Sequence, residues 1–302
     1  MPSLHPIYLC GPTASGKSSL AIALARQLGG EVVNADAFQL YQGLEILTAA
    51  PSAEEQSSVP HHLYGVLTSD QTCDAMRYRS LALPVIEEII SRNAVPIVTG
   101  GSGLYLKFLT HGPSPLPTGD HAYRETLAPL SLEELAARLQ VLDPVEASRT
   151  DLQNRRYLTR AIEICELSGQ PCSALRDRWE TITREVTAGL RGLFIQRERP
   201  DLHRRINLRT TQMLDGGAPD EVRNLAGASS TFEKAIGFRE ITALNEGRLS
   251  REECTERIQA ATRQYAKRQE TWFRREDWLR PLLWAPDSPM PLEAALEILG
   301  VG

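Results

Sequence analysis

The sequence predicts an α/β protein: a P-loop NTPase-like core with a parallel β-sheet flanked by helices, plus a helical insertion domain. Three observations carry this expectation. The apolar run Ile7-Tyr8-Leu9-Cys10 enters a glycine-rich turn and leaves it as a helix former. Further β-branched runs recur with helical periodicity between them, the alternation that builds parallel sheets. Between Gly119 and Ala188, by contrast, no strand pattern appears.

The turn after the first strand reads Gly11-Pro12-Thr13-Ala14-Ser15-Gly16-Lys17-Ser18, the G-x-x-x-x-G-K-S phosphate-binding pattern. Gly11 and Gly16 let the backbone curl so that successive N–H groups converge on one anion. The helix from Ser19 to Leu28 adds its positive N-terminal end, Lys17 adds a point charge, and the Ser18 hydroxyl suits Mg²⁺. A di- or triphosphate is expected here, and the loop alone does not decide whether it is ATP.

Gly29-Gly30 closes that helix, and Glu31 to Asp36 reads as a second strand. Asp36 falls at its C-terminal edge, where open α/β sheets bind ligands, although a helix N-cap is the competing reading. His61 and His62 are adjacent and point apart, so packing or a loop hydrogen bond is expected rather than a shared metal. Cys73 to Asn93 has helical periodicity, with Pro84 marking a kink or a start. Ala94 to Thr99 is a third strand, followed by the turn Gly100-Gly101-Ser102-Gly103 and a helix over Leu104 to Leu109.

Pro113, Pro115, Pro117 and Gly119 break the pattern, which divides the chain into 1–118, an insertion over 119–188, and 189–302. Within the insertion, Ser131-x-x-Glu134 is a capping box, and Arg155 to Ile164 is an amphipathic helix ending near Gly169. Gly189 to Ile195 reads as a fourth strand. The remainder is expected to be mostly helical, including a helix opened by Pro200 and a long one from Ser250 to Phe273.

Composition limits the function. The 302 residues carry a formal net charge of −5, so any surface for a polyanion must be local. One segment is locally basic: Arg263, Lys267, Arg268, Arg274 and Arg275 face a single acid, Glu270, between positions 263 and 275. It is either a solvated helix face or a local site for a polyanion. The five cysteines form no CxxC pair and read as reduced thiols, the first apolar run ends in the P-loop, and no apolar stretch is long enough to span a membrane, so a cytoplasmic protein with no leader is expected. A monomer is expected.

These residues together resemble the bacterial tRNA dimethylallyltransferase family. The resemblance runs through the P-loop, Asn34-Ala35-Asp36 with Gln39 and Tyr41, Pro60-His61-His62-Leu63, Gly100 to Tyr105, and Asn154-x-x-Tyr157-x-x-Arg160. It continues through Leu202-x-x-Arg205-Ile206-x-x-Arg209, Ile236 to Glu240, and Thr262 to Gln269 with Trp272. It implies transfer of a dimethylallyl group from dimethylallyl diphosphate to N6 of the adenine 3′-adjacent to the anticodon, releasing pyrophosphate. By the same resemblance the loop holds the prenyl diphosphate, with Lys17 and a Mg²⁺ cofactor at Ser18 stabilising the leaving group.

Asp36 is then the general base, Ser102 contacts the reacting nucleotide, Arg124 lies near the diphosphate, and the adenine flips out of its stack. Asp36, Ala37, Phe38 and Gln39 would touch the tRNA anticodon stem-loop, as would Arg156, Tyr157, Leu158, Thr159 and Arg160. Arg263, Lys267, Arg268 and Arg275 would add to that grip. Three departures stand out: Ala37 replaces a common Ser, and Leu47 and Ala50 replace a usual Gly and Lys. The competing activities are an adenylate dimethylallyltransferase, a small-molecule kinase and a non-catalytic RNA-binding protein.

Overall fold

The computed structural model describes residues 5–113, 116–225 and 231–301. The core opens with β1 (Ile7–Cys10), α1 (Lys17–Leu28), β2 (Gly30–Asn34), α2 (Glu45–Thr48), α3 (Ala53–Ser58) and β3 (His61–His62). It continues through α4 (Ala75–Ser91), β4 (Val95–Gly100) and α5 (Gly103–His111). A run of helices follows: α6 (His121–Leu127), α7 (Leu132–Leu142), α8 (Pro144–Arg149), α9 (Arg155–Ser168) and α10 (Cys172–Thr187). The chain then returns through β5 (Arg191–Gln196), α11 (Arg199–Asp215), α12 (Ala218–Asn224), α13 (Phe238–Asn245), α14 (Arg251–Phe273), β6 (Leu279–Leu283) and α15 (Leu292–Leu299).

All sheet pairings are parallel, in the order β3-β2-β4-β1-β5-β6. The two faces of β1 explain why this strand is apolar throughout. Ile7 and Leu9 point into a cluster with Leu20 and Leu24 of α1 and Leu299 of α15. Tyr8 and Cys10 point into the opposite cluster with Tyr78 of α4 and Phe273 of α14. A strand covered on both faces needs no polar alternation. The C-terminal ends of β1, β2 and β4 therefore open onto one edge of the sheet, carrying the phosphate loop, the Asp36 turn and the Gly101–Ser102 turn.

The structure decides several local expectations. Pro84 neither starts nor breaks α4, which runs through it. Both Pro84 and Ser80, whose carbonyl loses its helical partner, lie on the exposed face, where solvent can reach that carbonyl. Asp36 caps no helix; its Oδ1 accepts from the Phe38 amide at 3.2 Å within a turn. His62 and His61 serve the edge strand: His62 Nε2 lies 2.6 Å from Glu31 Oε2, and His61 Nδ1 lies 2.8 Å from the Val59 carbonyl. The tail after α14 is not purely helical, because β6 adds an edge strand despite Pro281. An edge is where a strand tolerates proline.

Residues 111–189 form a second compact unit. Its helices bury Leu127, Leu135, Leu139, Leu158, Ile162 and Cys172. Ser131 and Glu134 close the capping box on α7, and Gly169 ends α9 in the left-handed region with φ 65°. The Glu163 carboxylate is buried in this unit, where it meets Arg124 at 2.9 and 3.0 Å, Arg160 at 2.5 Å and the Asp120 amide at 2.6 Å. Burial opposes its ionisation, but the two guanidiniums and the amide prevail and hold its pKa below the usual range. Pro115, in the proline-rich boundary, lies outside the described residues.

Candidate active site

The phosphate loop is shaped by backbone strain and by what packs behind it. Ala14 and Gly16 both take positive φ, 63° and 98°. A Cβ at Gly16 would lie 2.6 Å from the Trp284 ring, so the backbone approach there requires glycine. Arg197 sits over the same ring at 4.2 Å and donates to the Ser15 carbonyl at 2.7 Å, with its charge offset by Asp201 at 2.9 Å.

The N–H groups of the loop divide into two sets. Pro12 has none, the Ser15 amide donates to the Pro12 carbonyl at 3.2 Å, and the Thr13 amide donates to Gln269 Oε1 at 2.8 Å. This leaves the amides of Ala14, Gly16, Lys17 and Ser18 as donors with no acceptor among the described residues. They are the anion cradle of the loop. Lys17 Nζ itself donates to the Pro12 carbonyl at 2.8 Å. Burial pushes the Lys17 ammonium down to about 8, with Asp36 pulling it up and Arg209 pushing it further down.

Asp36 leaves the end of β2 and is held by its neighbours. The Asn34 Oδ1 accepts from its amide at 2.8 Å, and the Ser102 hydroxyl accepts from the Ala37 amide at 3.0 Å. Ser102 thus braces the turn that carries Asp36. Gln39 donates to the carbonyls of Thr48 and Ala49, both at 3.1 Å, which joins the turn to the C-terminal end of α2.

Two cavities meet at Asp36. One, of about 200 Å³, is polar and is lined by Gly16, Lys17, Ser18, Asp36, Arg205 and Arg209. The other, of about 220 Å³, is mainly apolar, with Phe38, Leu47, Ile206, Met213, Ile236 and Ile258 among its walls. Thr13, Asp36, Thr48 and Arg209 border both. An anion site opens beside an apolar one, with a carboxylate at the junction. Leu47, at the position where Gly was expected, is almost wholly buried and narrows the apolar cavity.

Arg205 and Arg209 were not singled out as site residues by motif, although they follow the apolar stripe Leu202, Ile206, Met213 of α11 at helical spacing. Arg205 donates to the Ala14 carbonyl at 2.8 Å. Arg209 donates to the Thr13 hydroxyl at 2.9 Å and the Thr48 carbonyl at 2.8 Å. Burial lowers the Arg209 pKa while Asp36 raises it.

The basic residues of α14 fall on two sides of the helix. Arg268 borders the apolar cavity and lies 5.7 Å over the Tyr265 ring. Arg263, Lys267 and Arg274 line a separate groove of about 590 Å³, shared with Arg199 and His203 of α11 and containing one acid, Glu270. Arg263 donates to Asn207 at 2.9 Å, and His203 is pushed down by burial and by the adjacent Arg199 and Arg263. Arg275 is exposed and borders neither cavity.

In the helical unit, Arg156 and Tyr157 are exposed, while the Thr159 hydroxyl donates to the Arg155 carbonyl at 2.9 Å. Leu158 corrects an expectation: it is fully buried in the core of that unit and presents nothing to RNA, because it falls on the apolar stripe of α9. Arg160 has its guanidinium engaged by Glu163 and by the Pro117 carbonyl, and Arg124 is likewise closed on Glu163.

Comparisons with known proteins agree with this geometry. The IPP transferase family matches residues 39–276. The tRNA dimethylallyltransferase of Akkermansia muciniphila is 44% identical over 296 residues, covering 97% of this chain and 99% of that protein. The tRNA dimethylallyltransferase 1 of Citrifermentans bemidjiense is 41% identical over 280 residues, covering 90% and 91%. The crystal structure of the full-length tRNA isopentenylpyrophosphate transferase of Bacillus halodurans superposes with a TM-score of 0.69 at 30% identity, covering 98% of this chain and 95% of that one. A eukaryotic dimethylallyltransferase acting on tRNA superposes at 0.78 and 27% identity, covering 98% and 77%. The chain belongs to the IPP transferase family.

Proposed function

We propose that this protein is a tRNA dimethylallyltransferase that uses dimethylallyl diphosphate and modifies N6 of the adenine 3′-adjacent to the anticodon. The observation that carries the reading is the junction at Asp36, where a polar cavity at the anion cradle and a mainly apolar cavity share a wall. A prenyl diphosphate has that same division, a charged head on a five-carbon apolar tail. An ATP-dependent kinase would need the second cavity to be polar enough for a ribose and a hydroxylated acceptor.

In this reading the free loop amides, Lys17, Arg205 and Arg209 hold the diphosphate. As the allylic C–O bond breaks, its electron pair passes to the diphosphate, and these fixed donors stabilise the growing charge. The adenine N6 forms the new bond to the allylic carbon, and its proton passes to the Asp36 carboxylate. The Ser102 hydroxyl, already bonded to the Ala37 amide, keeps that carboxylate in place and faces the nucleotide. The donor set fits Mg²⁺: the exposed Ser18 hydroxyl on the first turn of α1 is a hard oxygen ligand beside the diphosphate pocket. When bound there, the ion would neutralise charge on the diphosphate.

The adenine must leave the anticodon loop to reach Asp36, which implies base flipping. Phosphates of the tRNA would be held by Arg268 at the cavity mouth, by Arg263 and Lys267 with Arg274 along the groove, by Arg275, and by Arg156 with Tyr157 on the helical unit. A cytoplasmic, monomeric enzyme fits such a substrate. The test is one incubation series with labelled dimethylallyl diphosphate and either unmodified tRNA, AMP or ATP as the second component. Label in tRNA alone supports the reading; label in AMP supports the adenylate alternative. Transfer of the γ-phosphate of ATP to a small molecule would replace it with a kinase.

A further inference from the structure

Gln269 is where α14 touches both turns of the site. The side chain is 5% exposed, and its two ends are used differently. Its Oε1 accepts from the Thr13 amide of the phosphate loop at 2.8 Å, and its Nε2 donates to the Gly101 carbonyl at 3.0 Å. Nε2 sits so close to Gly101 that a Cβ there would lie 2.0 Å from it and 3.8 Å from Asp36 Oδ2. The next residue, Ser102, braces Ala37 beside Asp36. One carboxamide thus joins the loop that would hold the leaving group to the turn that supports the base. A carboxamide suits this position, since one end must accept from an N–H and the other must donate to a carbonyl.

We propose that Gln269 is a positioning residue that sets the separation between the phosphate loop and the Asp36 carboxylate, and so acts on turnover rather than on donor affinity. This rests on the prenyl-transfer reading of the site. The Thr13 amide is already spent on Gln269, so it is no phosphate ligand. Removing Gln269 leaves the donors at Ala14, Gly16, Lys17 and Ser18 in place. What is lost is the fixed distance between the leaving oxygen and the proton acceptor, and a misplacement of about 1 Å costs on the order of 10²-fold in rate.

The test uses Gln269→Met, which keeps the length and removes the hydrogen bonds to Thr13 and Gly101. Amide hydrogen exchange in the folded protein is expected to accelerate at Thr13. With tRNA and dimethylallyl diphosphate, kcat is expected to fall about 10²-fold, while the pyrophosphate Kd from calorimetry stays close to the wild-type value. Gly101→Ala, which displaces Nε2 from the other end, should give the same pair of effects. Combining the two should cost less than the sum of the single losses, because both break one link. Unchanged protection at Thr13, or a near-normal kcat, overturns the proposal. So does a loss of pyrophosphate affinity as large as the loss of kcat. A wild-type chain that prenylates no tRNA overturns the reading of function instead, since the exchange measurement reads the clamp without turnover.

Discussion

Arg209 donates from Nη1 to the Thr13 hydroxyl at 2.9 Å, joining two residues 196 positions apart across the mouth of the phosphate loop. Its other nitrogen reaches the Thr48 carbonyl at 2.8 Å, so the guanidinium is held before any ligand arrives. Arg209→Lys keeps a charge but cannot bridge both partners. With hydrogen bonds to charged groups contributing about 1.5–3 kcal/mol, the KM for dimethylallyl diphosphate should rise on the order of 10- to 100-fold. Steady-state kinetics with saturating tRNA checks this, and an unchanged KM would remove Arg209 from the diphosphate site.

In the proposed reaction Asp36 takes the proton from the adenine N6. Asp36→Asn preserves the shape and the bond to the Phe38 amide but removes the base. The kcat should fall by about 10²- to 10⁴-fold, with the tRNA Kd nearly unchanged in a filter-binding measurement. Turnover close to wild type would reduce Asp36 to a turn residue.

If the loop holds a diphosphate as proposed, Lys17 makes that binding sensitive to pH on the alkaline side. Burial lowers its pKa to about 8 in the empty site, so the ammonium is present below that pH and is lost as pH rises through it. A bound diphosphate favours the charged form and raises the pKa again. Pyrophosphate affinity should therefore decline as pH climbs above about 8, with proton uptake on binding in that range. Calorimetry in two buffers of different ionisation enthalpy measures the uptake. Lys17→Met should bind more weakly and show none; uptake persisting in that variant would assign the titration elsewhere.

The groove between α11 and α14 predicts a salt dependence. Arg199, Lys267 and Arg274 line it with only Glu270 to offset them. Each phosphate contact contributes about 0.7–0.9 to the slope of log K against log salt. Changing all three to Gln should flatten that slope for tRNA by about 2 to 3 and raise the tRNA KM, while the donor KM stays constant. A slope that does not move, in a variant of normal stability, would locate the tRNA grip on other residues.

The sequence alone determined the parts of this protein that are written in contiguous residues. The strand, loop and helix of Ile7 to Leu28, the capping box at Ser131, the helix cap at Gly169 and the position of Asp36 at the end of β2 all follow from local spacing. A phosphate loop is such a case, since backbone amides and a helix end form an anion site wherever the pattern occurs. Tertiary structure decided which side chains complete the site. Nothing local marks Gln269 as the partner of Thr13, 256 positions away, or shows that the basic residues of α14 divide between two cavities. Leu158 and Arg160 lie within one turn of α9 and read alike as RNA contacts, yet one is core and the other is engaged by Glu163 and the Pro117 carbonyl. Edge strand β6 was equally hidden, because its exposed positions and Pro281 erase the alternation that marks a strand. Local propensity is a property of a few neighbouring residues. The distance between a base and a leaving group is set by helices packing across the whole sheet, and only the folded chain defines it.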